Sequence, residues 1–108
     1  MYLDISTRED LYKWFKENHS SEKEFWIRVN RGNKPCDGVI GYIDAVEVAL
    51  CFGWIDSTLK RLDSGKPFQR FSHRRKGSNW CPRNIERCKK LIQQGEMTEY
   101  GLAVIPEV

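Results

Sequence analysis

The chain of 108 residues is long enough for one domain with a modest core, and its apolar content of 40% is ordinary for a globular protein. No apolar run approaches the roughly 18 residues of a membrane span, and the start, MYLDISTRED, lacks the apolar segment of a signal peptide, so we expect a cytoplasmic protein without a membrane partner. The four cysteines form no CxxC pair and there are only two histidines, so we expect neither a metal nor a cofactor.

Two elements are predicted in the first third of the chain. Ser6 and Glu9 have the spacing of a capping box, and apolar side chains at helical spacing follow them, so we expect a first helix over residues 7–18. Apolar and polar residues alternate over residues 24–30, which predicts a strand with one apolar face.

The polar face of that strand carries Trp26 and Arg28, which are either functional or packed under a loop. Residues 31–41 contain Gly, Asn, Pro and Asp and predict a loop, which is a candidate flap over a later site. Residues 42–52 predict the second helix, because their apolar and small side chains mark a broad buried face.

The second half of the chain predicts a hairpin and a further helix. Gly53 is expected to end the second helix in the left-handed conformation. Residues 54–60 and 68–74 alternate as strands do, and the turn residues between them predict a hairpin with a long loop. Residues 82–94 predict a helix, since Pro is suited to the first helical position.

The element order is therefore α-β-α-β-β-α, with a short fourth helix expected over residues 98–103. This order predicts a single α+β domain over residues 1–108, with a small, mostly antiparallel sheet of about three strands and three or four helices. A winged helix is the second choice, because that fold needs a recognition helix directly before its hairpin, whereas here Gly53 leads straight into a strand.

The net charge of +3 hides an asymmetry along the chain. Residues 1–56 carry seven Lys/Arg against ten Asp/Glu, and residues 57–108 carry eleven against five. All eleven of those bases lie within residues 60–90, where they face two acids. Such a concentrated positive field favours an anionic partner, namely nucleic acid, a phosphorylated small molecule or an acidic protein.

The stretch from Leu50 to Trp80 holds most of this charge together with two tryptophans, and we predict the binding site there. Strict alternation places Trp54, Asp56 and Lys60 on one strand face, and a basic loop then leads to the start of the helix at Pro82, which favours an anion site. The predicted ligand-binding residues are Trp54, Asp56, Lys60, Arg70, Arg74, Arg75, Lys76, Ser78 and Trp80. The alternative is that the bases form a solvated face and that the tryptophans belong to the core.

Several segments, ALCFGWIDS, KRLD, QRFSHRRKGSNW and NIER, resemble the YdeI/OmpD-associated family, also called bacteriocin-protection proteins. The likeness extends to WFKENH, FWIRVN and DAVEVAL and so covers nearly the whole chain. The chain departs from the family's pattern at Ser72-His73-Arg74, where the family has Thr-Pro-Arg, and at Cys81, where it has Ser or Thr. The resemblance implies a small bacterial or archaeal protein linked to stress or bacteriocin tolerance, with no established reaction and no catalytic residues to transfer.

Three functions remain open at this level. The first is a binding module for nucleic acid or a phosphorylated ligand, in which Arg supplies bidentate phosphate contacts and Trp supplies stacking surfaces. The second is an enzyme that uses Asp56 with Arg70 on a small anionic substrate. The third is an interaction domain for an acidic protein. The sequence contains no nucleophile–base pair, so we assign no catalytic residue, and it leaves the oligomeric state open.

Overall fold

The computed structural model describes residues 1–32, 34–61, 65–74 and 80–106. The elements in chain order are β1 (Tyr2–Leu3), α1 (Arg8–Asn18), β2 (Glu24–Asn30), β3 (Ile40–Gly41), α2 (Tyr42–Cys51), β4 (Trp54–Arg61), β5 (Pro67–His73), α3 (Pro82–Gln93) and α4 (Glu99–Leu102). In the described part of the chain, none of the helices combines the length and the apolar run that a membrane span needs.

The sheet has five strands, in the order β1-β2-β5-β4, and β3 also pairs with β2. The central pairs β2–β5 and β5–β4 are antiparallel, whereas β1 and β3 each run parallel to β2. The predicted α+β class is confirmed, but the sheet is mixed and has more strands than expected. The two additional strands were missed because two residues are too few to show an alternating pattern.

One face of the sheet is buried under the helices and the other is not. Along β2, Phe25, Ile27 and Val29 are buried and alternate with half-buried polar neighbours, as the sequence pattern predicted. Phe71 of β5 pairs with Phe25 and is equally buried. The side chains that pack against this inner face come from the helices, so the fold has two layers.

An aromatic cluster forms the centre of the core. The ring of Phe15 on α1 lies 5.5 Å from that of Phe25 and 5.2 Å from each of the rings of Phe52 and Trp54. Gly53 lies between the last two with φ +78°, and a Cβ atom there would approach the Tyr100 carbonyl oxygen to 2.8 Å. The predicted glycine stop is therefore confirmed. β2 and β3 separate α1 from α2, so α2 is not the second helix of a helix-turn-helix, and the winged-helix alternative does not apply.

The predicted helices are all present, with ends within one or two residues of the expected ones. The capping box does not form as predicted. Thr7 rather than Ser6 is the N-cap of α1, and its hydroxyl accepts a hydrogen bond of 3.1 Å from the backbone N–H of Asp10. Thr98 caps α4 in the same way and also donates to the carbonyl of Cys51, so α4 is tied to the end of α2.

A network of ion pairs joins α1, α2 and α3. The buried carboxylate of Glu47 on α2 accepts hydrogen bonds from Arg8 at 2.7 Å and from Lys90 of α3 at 2.8 Å. Arg8 also binds Asp44 and Glu96. Burial tends to raise the pKa of Glu47, but the hydrogen bonds from Lys90 and Arg8 outweigh it, so the pKa lies below its ordinary value.

We expect Glu47→Gln to lower the free energy of unfolding at pH 7 by about 2 kcal/mol, because it removes the charge from a buried acceptor of two charge-assisted hydrogen bonds, while Arg8 keeps Asp44 and Glu96. The stabilisation by Glu47 is fully present above an unfolded-state pKa of about 4.3 and is lost as the pH falls through the lower folded-state pKa. The variant should therefore lose stability less steeply than the parent between about pH 5 and pH 3. Denaturant unfolding at several pH values measures both effects.

Glu86→Gln is the matched control. Glu86 forms an exposed ion pair with Lys89 on the surface of α3, and such pairs contribute at most about 1 kcal/mol. Equal losses in the two variants would contradict the assigned role of Glu47.

Candidate functional site

The side of the sheet that faces away from the helices carries aromatic and basic side chains in two cross-strand rows. In the first row, Trp26 of β2 pairs with Tyr2 of β1 on one side and with Arg70 of β5 on the other. In the second row, Phe68 of β5 lies between Arg28 of β2 and Lys60 of β4. We call this surface the outer sheet face and define it by Tyr2, Glu24, Trp26, Arg28, Ser57, Lys60, Phe68 and Arg70.

Three aromatic rings of the outer sheet face contact one another. The rings of Tyr2 and Trp26 stack with their centroids 6.3 Å apart. The rings of Tyr2 and Phe68 meet edge to face, with their centroids 5.5 Å apart. Tyr2 is 54% exposed, and the other two rings are half-buried. A contiguous aromatic patch that is partly open to water is a candidate surface for a partner.

The cations of this face fall into two classes. Arg70 is committed to its neighbours, since its guanidinium donates to the carboxylate of Glu24 and, at 3.0 Å, to the hydroxyl of Ser57. The side chains of Arg28 and Lys60 make no hydrogen bond or ion pair with any residue that the structure describes. The two side chains flank Phe68 in one row, so they can accept an anionic partner without first breaking an ion pair.

The two tryptophans that were predicted as stacking surfaces, Trp54 and Trp80, both contact the core. Trp54 is fully buried in the core, so it offers no stacking surface to a ligand. Trp80 packs partly against the same core, and its ring lies 3.8 Å below the guanidinium carbon of Arg74. The sequence also allowed that the tryptophans belong to the core. This is correct for Trp54, and Trp80 is partly buried against the core.

Arg74 was predicted to bind a ligand from the basic loop, but it is only 5% exposed. Its backbone N–H donates to the carbonyl of Gly53 at 2.8 Å, which fixes the end of β5 against the start of β4. Burial lowers the pKa of its guanidinium. Arg75, Lys76 and Ser78 lie outside the described residues, so the anion site predicted before α3 stays a prediction.

Asp56 and Arg70 do not form the pair on which the enzyme hypothesis rested. Asp56 is paired with Phe71 on the inner face, whereas Arg70 belongs to the outer face. The carboxylate of Asp56 instead accepts a hydrogen bond of 2.6 Å from the hydroxyl of Tyr42, at the start of α2. Burial and this hydrogen bond raise the pKa of Tyr42.

A β-bulge explains why strict alternation misplaced one residue. The register of β4 against β5 shifts between Asp56 and Leu59, so Lys60 pairs with Phe68 and joins the outer face. The predicted face that held Trp54, Asp56 and Lys60 together is therefore wrong for Lys60. A bulge of this kind leaves no clear mark in the sequence, because β4 contains neither Gly nor Pro.

Two further residues of the outer sheet face received no role from the sequence. Tyr2 belongs to a strand of two residues, and Phe68 was noted only as part of the hairpin pattern. The available signal was the strand alternation, which had already left Trp26 and Arg28 as candidates on the polar face of β2.

A family model described as a domain of unknown function (DUF8412) matches residues 3–104. The chain belongs to this family. The resemblance to the YdeI/OmpD-associated or bacteriocin-protection proteins was therefore wrong, and the expectations drawn from it are withdrawn. Part of that resemblance rested on Gly53, Trp54 and Phe71, which lie in the core, where many folds need glycine and large rings. Neither the curated proteins nor the solved structures contain a match.

We expect Tyr42→Phe to lower the free energy of unfolding by about 1–2 kcal/mol, since it removes the hydrogen bond to a charged carboxylate. In a double-mutant cycle with Asp56→Asn, the two losses should not add. Tyr2→Phe is the control, because the Tyr2 hydroxyl makes no hydrogen bond to the described residues. Additive losses in the cycle would show that the contact contributes nothing.

Proposed function

We propose that the protein binds single-stranded nucleic acid across its outer sheet face. The observation that carries this proposal is the row in which Phe68 lies between Arg28 and Lys60, next to the exposed contact of Tyr2 with Trp26. Rings that lie among cations suit a single strand, because its bases can stack on the rings while its phosphates contact the cations.

Stacking supplies the first part of the argument. Aromatic side chains can stack on any unpaired base, and each such contact contributes roughly 1–3 kcal/mol. In a duplex the faces of the bases are covered by their neighbours, so a flat, open sheet with exposed rings favours single strands. The rings of Tyr2, Trp26 and Phe68 lie on one surface, Tyr2 is 54% exposed, and none of the three rings belongs to the core cluster of the described residues.

Charge supplies the second part. The single acid of the outer sheet face, Glu24, is already neutralised by Arg70. Arg28 and Lys60 then leave a positive surface, and release of counterions from the phosphates would favour binding. The overall charge of +3 supports the same sign of partner.

The enzyme and the acidic-protein hypotheses are less well supported by the structure. The enzyme hypothesis was motivated by a pairing of Asp56 with Arg70, and the two residues lie on opposite faces of the sheet. An acidic protein would be attracted by the same cations, but it carries no bases that could stack on the rings. Binding of an acidic protein is therefore treated as an alternative outcome of the tests below. The cytoplasmic location expected from the sequence stays a prediction and agrees with a nucleic-acid partner.

We expect Tyr2→Leu and Trp26→Leu each to weaken binding of a fluorescein-labelled 12-nucleotide single strand by about 5-fold to 100-fold, because each removes a stacking surface. Fluorescence anisotropy at low salt measures the affinity. Tyr100→Leu is the matched control, since Tyr100 is 47% exposed on α4 and belongs to the helical layer. A duplex of the same sequence should bind less tightly.

Equal losses for Tyr2→Leu and Tyr100→Leu, or no difference between the single strand and the duplex, would contradict stacking on the outer sheet face. Circular dichroism of each variant shows that the fold is intact.

We expect the double variant Arg28→Gln/Lys60→Gln to reduce the slope of log affinity against log salt by about 1.4, that is, by about 0.7 for each phosphate that the protein no longer neutralises. The control is Lys13→Gln/Lys16→Gln, which removes the same charge from the exposed surface of α1. Identical slopes in the two double variants would contradict specific contacts. Binding of poly-glutamate as tightly as the oligonucleotide would favour an acidic protein partner instead.

A further inference from the structure

A cavity lies where β2 ends, next to the end of β4 and the start of β5. Its volume is about 400 Å³, which is in the range of pockets for small ligands. Its apolar wall includes Val29, Val39 and Pro67. Three arginines from different segments also line it, namely Arg28, Arg31 and Arg61.

The described lining residues of this cavity carry charge of one sign. Among its described lining residues there are three guanidinium groups and no carboxylate. A neighbouring groove of about 710 Å³ differs, because Glu9 and Asp44 accompany the cations there. Arginine presents a planar fork of N–H donors that fits phosphate oxygens bidentately, so the smaller cavity suits a phosphate group better than the larger groove does.

Arg31 is held in place before any ligand arrives. Its guanidinium donates to the side-chain oxygen of the buried Gln69 at 3.1 Å and lies 3.9 Å above the ring of Tyr42. Gln69 in turn donates to the carbonyl of Thr58 at 3.2 Å, and Tyr42 is anchored by Asp56. An arginine whose position is fixed in this way loses little conformational entropy when it binds an anion.

The other arginines connect the cavity with the outer sheet face. Arg61 is held by a hydrogen bond of 3.0 Å to the carbonyl of Gly65 and directly follows Lys60 in β4. Arg28 lines the cavity and also belongs to the row with Phe68. The cavity therefore lies beside this row, so a phosphate of a strand on the row can reach it.

We infer that this cavity binds the terminal phosphate of the single strand that lies on the outer sheet face, an inference that rests on the proposed function. A terminal phosphomonoester carries about −1.5 to −2 charges at pH 7, whereas each internal phosphodiester carries one. The three arginines among the described lining residues therefore favour the end of a strand. The protein thereby distinguishes phosphorylated ends from hydroxyl ends.

The test compares three 12-nucleotide strands of one sequence that carry a 5′-phosphate, a 3′-phosphate or hydroxyl groups at both ends. An internal label keeps both ends free, and anisotropy measures the affinities at physiological salt. We expect one of the phosphorylated strands to bind about tenfold more tightly than the hydroxyl strand, which corresponds to one charge-assisted contact. We expect Arg61→Gln to remove this preference, and Arg61→Lys to retain part of it because it keeps the charge but not the fork.

Lys66→Gln is the matched control, since Lys66 is an exposed cation of the same hairpin and is not among the residues that line the cavity. It should keep the full preference. A preference that survives Arg61→Gln unchanged overturns the assignment to this cavity.

The remaining outcomes separate the inference from the proposed function. Equal affinities for the three strands overturn the phosphate cavity and leave the proposed function standing. Absence of binding by any strand even at low salt overturns the proposed function, and the inference fails with it. Adenosine 5′-monophosphate that binds as tightly as the phosphorylated strand overturns the strand-end assignment and identifies a free phosphorylated small molecule as the ligand.

Discussion

The packing of Phe15 against Phe25, Phe52 and Trp54 is the contact on which the rest of the structure depends. These rings join α1, β2 and the junction between α2 and β4, and they meet on one side of the sheet only. In a chain of this length, one such cluster accounts for most of the large side chains that a core can hold. The helices therefore gather on the inner face, and the outer sheet face is left open to water.

The buried polar contacts also distinguish the two sides of the sheet, because they bind carboxylates on the helical side of the molecule. Glu47 is bound by Arg8 and Lys90, and Asp56 is bound by Tyr42. Acids that are held there cannot neutralise the cations of the outer sheet face. The charge asymmetry along the sequence maps only in part onto this face, because Lys60 and Arg70 come from the basic half of the chain and Arg28 from the acidic half.

Much of the fold was predictable, whereas the site was predictable only in outline. The alternation of β2, the glycine stop at Gly53 and the helical spacing of α1 to α3 each depend on nearby residues, so the sequence patterns located them within one or two positions. The predicted site mixed residues of both layers. Trp54 and Arg74 proved to be buried, and Lys60 changed face because of a bulge. Tyr2 was missed because its strand exists only through pairing with β2.

The sequence alone determined the α+β class, the main elements and the excess of positive charge after residue 56, because these follow from local periodicity and composition. The tertiary structure decided which side chains share a surface. It brought Tyr2 next to Trp26, separated Asp56 from Arg70, and drew Arg28, Arg31 and Arg61 around one cavity. These relations depend on strand register, on the bulge and on which face the helices cover, and each of them is set by contacts between residues far apart in the chain.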